Sequence, residues 1–360
     1  MAAVFKTPII KMKRSRWFAV TLIFVAFLLG SIAAAANHSS SAATSPAQPA
    51  DPARVLGNDA CVKCHAGEQA VWAKTPHART FDELHRRPEA AKIASNLGID
   101  SIKNSGRCVD CHYTQQNGSG LMSWAGSSAH VIAGVSCESC HGPARDWIEA
   151  HHDYGGPDVT RLTESPVHRG QRIARSVELG MRNPMNVYLV AQSCYRCHTT
   201  ADEELVNVGG HSAGSLTFEF VSWSQGTIHH NFVKSDGKQN IPSSPERLRV
   251  MFVAGVIAET ESSLRAVAAA KEKATYGVTV AQRAARSGAR LKSLAGKLPD
   301  PRLRQAVDVF ESVSLKLNNA GPLTDAANRL AEIGYDFAEK PPRSGMEQID
   351  RFIPARNTWK

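Results

Sequence analysis

A five-residue pattern repeated four times constrains this chain more than any other feature. It reads Cys61-Val62-Lys63-Cys64-His65, Cys108-Val109-Asp110-Cys111-His112, Cys137-Glu138-Ser139-Cys140-His141 and Cys194-Tyr195-Arg196-Cys197-His198. The four copies use all eight cysteines, so none is left for a disulfide, a thiolate nucleophile or a zinc ligand. One Cys-x-x-Cys pair alone would equally suit a redox dithiol or half a zinc site. His directly after every copy points instead to haem attachment: the two thiols add across the vinyl groups of one haem and the adjoining imidazole becomes an axial iron ligand. The expectation is four covalently bound haem c groups, with His65, His112, His141 and His198 as proximal ligands.

At 360 residues the chain has room for two domains, and 42% hydrophobic content is ordinary for a globular protein. Four haems would add apolar core that a residue count does not register. The formal charge of +9 suggests an acidic partner at first sight. However, Lys6, Lys11, Lys13, Arg14 and Arg16 lie in an N-terminal segment read below as a leader, and without them the balance is +4. Haem propionates offset further cations, so nucleic-acid binding is not expected.

In chain order, a basic n-region precedes an apolar run from Trp17 to Ala36 that ends in small residues, the pattern of a signal peptide over residues 1–36. The run nearly reaches bilayer-spanning length, so membrane attachment through residues 17–36 is the alternative. Either way the remainder is expected to be exported, periplasmic or its equivalent. Residues 37–57, rich in Ser, Ala and Pro, read as a flexible linker, with His38 solvated. Residues 58–240 hold every cysteine and every remaining histidine and form the haem domain. About 46 residues per haem cannot wrap each cofactor separately, so the haems are expected to share walls. The unequal intervals between motifs do not support a tandem repeat.

Histidine spacing bears on how the haems are shared. His77 follows His65 by twelve residues through a plausible helix, about 18 Å along the axis, and His151 follows His141 by ten, about 15 Å. Neither reaches back over its own neighbour's haem. Each is expected to ligate a different one.

The first motif with Trp72 and His77-Ala78, and Gly134-Val135-x-Cys137-Glu138-Ser139-Cys140-His141-Gly142-Pro143 with Arg145 and His151, resemble the tetrahaem cytochrome c-554 family over roughly residues 58–198. The resemblance implies a mainly α haem domain with haems in stacked pairs, His77 ligating haem three and His151 ligating haem one. It also implies an open, five-coordinate haem two, and partners among redox proteins such as exported cytochromes or a hydroxylamine-oxidising enzyme. Two features depart from that pattern. His130, between motifs two and three, is a candidate to close haem two or else a surface residue. For haem four the candidates are His230, favoured for its aromatic surroundings, and His211, which is also a candidate for haem two. His85, His152 and His168 are read as polar surface residues, and Met122, Met181 and Met185 as unneeded while nine other histidines are available.

Beyond His230 there is neither histidine nor cysteine. Ser244-Pro245 reads as a helix start with Leu248, Met251, Phe252, Val256, Ile257 and Leu264 at helical spacing. A second helix is expected over Thr279–Leu298, a third from Asp300-Pro301 to near Gly321 and a fourth over Leu323–Phe337, together an antiparallel bundle at 241–340 acting as scaffold. Residues 341–360 read as an irregular tail. Electron transfer through mostly bis-His haems is the expected function, with catalysis uncertain. The alternative is an oxidoreductase with one open haem acting on nitric oxide, nitrite or hydroxylamine, with Arg145, His152 or His130 as the nearby donor.

Overall fold

The computed structural model describes residue 1 and residues 46–118 and 129–360. The expected leader or anchor, part of the 37–57 linker, His38 and Met122 lie outside the described residues. Everything below concerns the unit 43–360.

The fold is mainly helical. Its first part is a series of short helices: α1 (Asn58–Val62), α2 (Ala66–Trp72), α3 (Pro76–Glu83), α4 (Pro88–Asn96) and α5 (Gly106–His112). Strands β1 (Thr114–Asn117) and β2 (Ala129–Ala133) then pair antiparallel, with a register irregularity between Thr114 and Gln115. Next come α6 (Cys137–His141), α7 (Pro166–Glu178), α8 (Val187–His198), α9 (Glu203–Asn207) and α10 (Phe220–Ser224). The break between α2 and α3 follows from sequence: Thr75 caps α3 through its hydroxyl, and Pro76 sits in the first turn, where a missing N–H costs nothing.

The C-terminal third has four helices, three of them longer than any before: α11 (Pro245–Ala269), α12 (Thr275–Ala295), α13 (Pro301–Glu311) and α14 (Ala320–Glu339). Ser244 caps α11 and Asp300 caps α13, each just before a proline. Two boundaries differ from expectation. α12 starts at Thr275 because Asn207 accepts from the Tyr276 backbone N–H at 2.9 Å and the Tyr276 hydroxyl donates to Ala266 O, fixing the first turn. α13 ends at Glu311, well before Gly321, where Asn318 turns left-handed (φ 57°) and Asn319 donates to Ser314 O at 2.8 Å.

α11 is buried on nearly every side, with Val253, Ala254, Ile257, Ala258 and Leu264 fully enclosed, as suits a helix at the centre of its neighbours. It packs on α14, α12 and α8. Since α8 ends in the fourth Cys-x-x-Cys-His, that motif is built directly into the C-terminal core. The tail is tied back too: Met346 and Ile349 are buried, Lys360 N donates to Ser222 O at 3.1 Å, and Thr227 N donates to Lys360 O at 2.8 Å.

The end of the expected linker is packed as well. Val55 is fully buried, and the Leu56 and Gly57 N–H groups donate to the Glu138 carboxylate at 2.9 and 2.7 Å. Glu138, 1% exposed, accepts a third bond from Ala144 N at 2.8 Å. Three charge-assisted bonds offset its burial and clamp residues 56–57 to α6. Glu138→Ala strands three N–H groups, two of them buried, and is expected to cost about 3 kcal/mol, read as a lowered urea midpoint of the haem-loaded protein.

Candidate haem-binding site

In each motif the chain is helical or turns helically, so Cys, Cys at i+3 and His at i+4 fall on one face. In the first, the turn after α1 is closed by Cys64 N and His65 N donating to Cys61 O. None of the eight cysteines forms a disulfide.

The four motif histidines each face one histidine from elsewhere in the chain. His65 lies opposite His151 with ring centroids 6.3 Å apart, His112 opposite His211 at 6.1 Å, His141 opposite His230 at 6.2 Å, and His198 opposite His77 at 6.3 Å. The ring planes meet at 30°, 53°, 81° and 59° respectively. Rings in direct contact come much closer, as His198 does to Phe218 at 4.1 Å. With metal–nitrogen bonds of about 2 Å, two imidazoles on opposite sides of one metal place their centroids about 6 Å apart. All four gaps therefore have room for one metal atom and a flat ligand around it. The residues present fit haem.

The backbone orients these rings. His151, His211 and His230 each place Nδ1 against a carbonyl within three residues, Ile148 O, Ser212 O at 2.8 Å and Ile228 O at 2.6 Å, and His141 Nδ1 lies 3.4 Å from Arg182 O. An Nδ1–H given to a carbonyl leaves Nε2 with its lone pair free to ligate. Burial holds His112, His141 and His198 down at about 4, so these imidazoles are neutral at pH 7, the form a metal requires. Buried donors without a partner cluster here as well: Tyr113 Oη beside His112, Trp147 Nε1, Arg196 Nε inside the fourth motif, and Trp223 Nε1. Trp147 packs edge-on to His151 at 5.3 Å and Trp223 to His198 at 5.6 Å. Such donors suit the propionates of haem.

Two positions differ from the sequence expectation. His77 faces His198, where His141 was expected, and His230 faces His141, where His198 was expected. Spacing along the chain limits only which motif His77 cannot face. The choice among the rest depends on how α3 packs: Val135 N donates to His77 O at 3.1 Å, and a Cβ on Gly134 would lie 2.3 Å from that same oxygen. His130 is exposed on β2, opposite Gln116, and among the described residues no motif histidine ring lies against it. Of the remaining histidines, His152 stacks edge-on to His151 at 5.0 Å and His168 donates to Glu164 at 2.7 Å. Met181 and Met185 accept weak bonds from Asn183 and Arg169.

The cysteines show which motifs adjoin. Contact with Cys137 and burial push the Cys61 thiol up, and contact with Cys197 and burial do the same to Cys111. Ser193, just before the fourth motif, donates to Cys140 O at 2.9 Å. Motifs one and three are therefore neighbours, as are two and four, with three and four joined through α8.

Residues 60–142 match the family model described as cytochrome c554 and c-prime. They contain the first three motifs, including the Gly134–Pro143 stretch that carried the resemblance. Over these residues the chain is similar to the cytochrome c-554 family. A cytochrome c-554 of Nitrosomonas europaea is 31% identical over 106 residues, 28% of this chain and 43% of that protein. The C-type polyheme cytochrome OmcB of Geobacter sulfurreducens is 28% identical over 136 residues, 34% of this chain and 17% of that one. The chain thus spans less than half the length of each of these curated relatives. No solved structure matches it. The c-554 match supports a multihaem c-type cytochrome with covalently bound haem c.

Sequence reading missed the polar residues that hold the site. Glu164 is the clearest: its enclosed carboxylate accepts Arg172 Nε at 2.8 Å and Nη2 at 2.7 Å, and Arg172 Nη1 donates to His151 O at 2.6 Å. The segment carrying His151 is thereby pinned to α7. The bonds from Arg172 and then His168 hold Glu164 at about 2, against 4.5 when free. Because the folded value is the lower one, its stabilisation is complete above about 4.5 and is lost as pH falls towards about 2. Glu164→Gln is expected to flatten the decline of the thermal midpoint across that window, checked by melts of both proteins from pH 6 to pH 2.

Proposed function

We propose that the chain is an exported tetrahaem c-type cytochrome that carries electrons between redox proteins. Four haem c groups would be attached through Cys61 and Cys64, Cys108 and Cys111, Cys137 and Cys140, and Cys194 and Cys197. Their axial pairs would be His65 with His151, His112 with His211, His141 with His230, and His198 with His77. One observation carries this reading: every motif histidine faces a second histidine at 6.1–6.3 Å, leaving no motif with an open side.

Haem c supplies one-electron chemistry at its iron. The residues of this chain determine how it is used. A histidine on each side of every haem would hold the iron with the same ligands in both oxidation states, which would lower the potential and limit reorganisation on electron transfer. The contacts between Cys61 and Cys137, across α8 from Cys140, and between Cys111 and Cys197 support haems in stacked pairs, ordered one, three, four, two. The domain would span 58–240, with the C-terminal helices as a scaffold without ligands. Among the described residues no helix is long and apolar enough to cross a membrane, and residues 17–36 lie outside them.

The purified holoprotein is expected to show only low-spin EPR signals when oxidised and no optical change with nitric oxide. His211→Ala should leave four haems attached while turning haem two high-spin and reactive towards nitric oxide. A high-spin signal in the unaltered protein that nitric oxide removes would favour the second reading, an oxidoreductase acting on small nitrogen species.

A further inference from the structure

We propose that Arg283 sets the reduction potential of the haem held between His77 and His198, raising it through a buried positive charge with no carboxylate partner. This rests on the ligand pair proposed above and concerns how that haem is tuned. Arg283 lies on α12, beyond the segment that holds every cysteine and histidine, and is 2% exposed. Its Nη1 donates to Thr199 O and its Nη2 to Ala213 O, each at 2.9 Å. The first carbonyl belongs to the residue after His198 and the second lies two residues past His211. A Cβ on Gly214 would sit 2.3 Å from His198 O and 2.8 Å from Arg283 Nη2, so the guanidinium abuts the backbone of the proximal ligand itself.

The guanidinium keeps its charge at any working pH. Among the described residues no carboxylate comes within ion-pair distance of it, and Glu259, whose field reaches it, is itself bound by Arg290 at 2.5 Å. The arginine behind the third motif differs. Arg182 donates to Gln192 at 2.6 Å, and Gln192 donates at 2.9 Å to Glu261, a carboxylate 2% exposed that also accepts from the Tyr188 hydroxyl and Arg265. A balancing negative charge thus stands one side chain away from Arg182 and is missing beside Arg283. On reduction, one electron from a neighbouring haem or a redox partner converts ferric iron to ferrous, with no bond made or broken and no proton moved. The site becomes one unit more negative, which a fixed cation in a low-dielectric interior favours.

The experiment first identifies the haem as the one whose low-spin EPR signal is lost in His77→Ala. That signal is then followed in potentiometric titrations of the otherwise unaltered holoprotein and of three variants. Arg283→Gln is expected to make its reduction about tenfold less favourable, a midpoint about 59 mV lower. Arg283→Lys keeps the charge but cannot bridge both carbonyls, so its midpoint should stay near the parent's while its melting temperature falls. Arg283→Met, also uncharged, should lower the midpoint by a similar amount. If Arg283→Gln does not fold, Arg283→Met carries the test. An unmoved midpoint in the uncharged Arg283 variant, or equal shifts in it and in Arg283→Lys, would overturn the proposal. A His77→Ala protein that keeps every low-spin signal would overturn it together with the ligand pair on which it stands.

Discussion

The structure depends on a spacing: four pairs of imidazoles held just over 6 Å apart, too far for ring contact and right for two ligands of one iron. Holding two rings at that separation requires each to be fixed from behind, since nothing between them in the polypeptide does so. The backbone carbonyls on Nδ1 of His151, His211 and His230 meet that need locally. Arg182 meets it over a longer range, exchanging backbone bonds with His141 and reaching through Gln192 to Glu261 on α11. The haem region and the C-terminal helices are in this sense one mechanical system, with α8 belonging to both.

How much of this was legible in the sequence follows from the range of each interaction. The four Cys-x-x-Cys-His motifs are local patterns, and so are the caps at Ser244 and Asp300. His151 opposite His65 follows the resemblance to the c-554 family. The partners of His198 and His141 do not, because they depend on how α3 and the loop bearing His230 pack against distant segments. Gly134, quoted in the sequence merely as part of a motif, has a physical reason here: the backbone of His77 passes where a side chain would be.

The buried charges were the least legible. Glu138 sits inside a Cys-x-x-Cys pattern, where the intervening residues are commonly read as filler, yet it is nearly inaccessible and clamps residues 56–57. Arg283 and Glu261 lie in stripes whose apolar periodicity reads simply as helix packing. Nothing in local sequence distinguishes a buried arginine bonded to carbonyls from one on a solvated face. The distinction appears only once α12 is laid against residues 199–214.

In every pair the two histidines come from widely separated parts of the chain, with consequences for assembly. Once haem is attached, each iron would close a large loop much as a disulfide does, so the denatured chain loses freedom while the native one does not. The order of synthesis then matters. A haem on the first motif would lack its second ligand until residue 151 has followed it out, and a haem on the third until residue 230 has. With these pairs, haems on the first three motifs would pass through species with one iron face uncovered, each closed only when its later histidine arrives, whereas the fourth motif would meet His77 already in place.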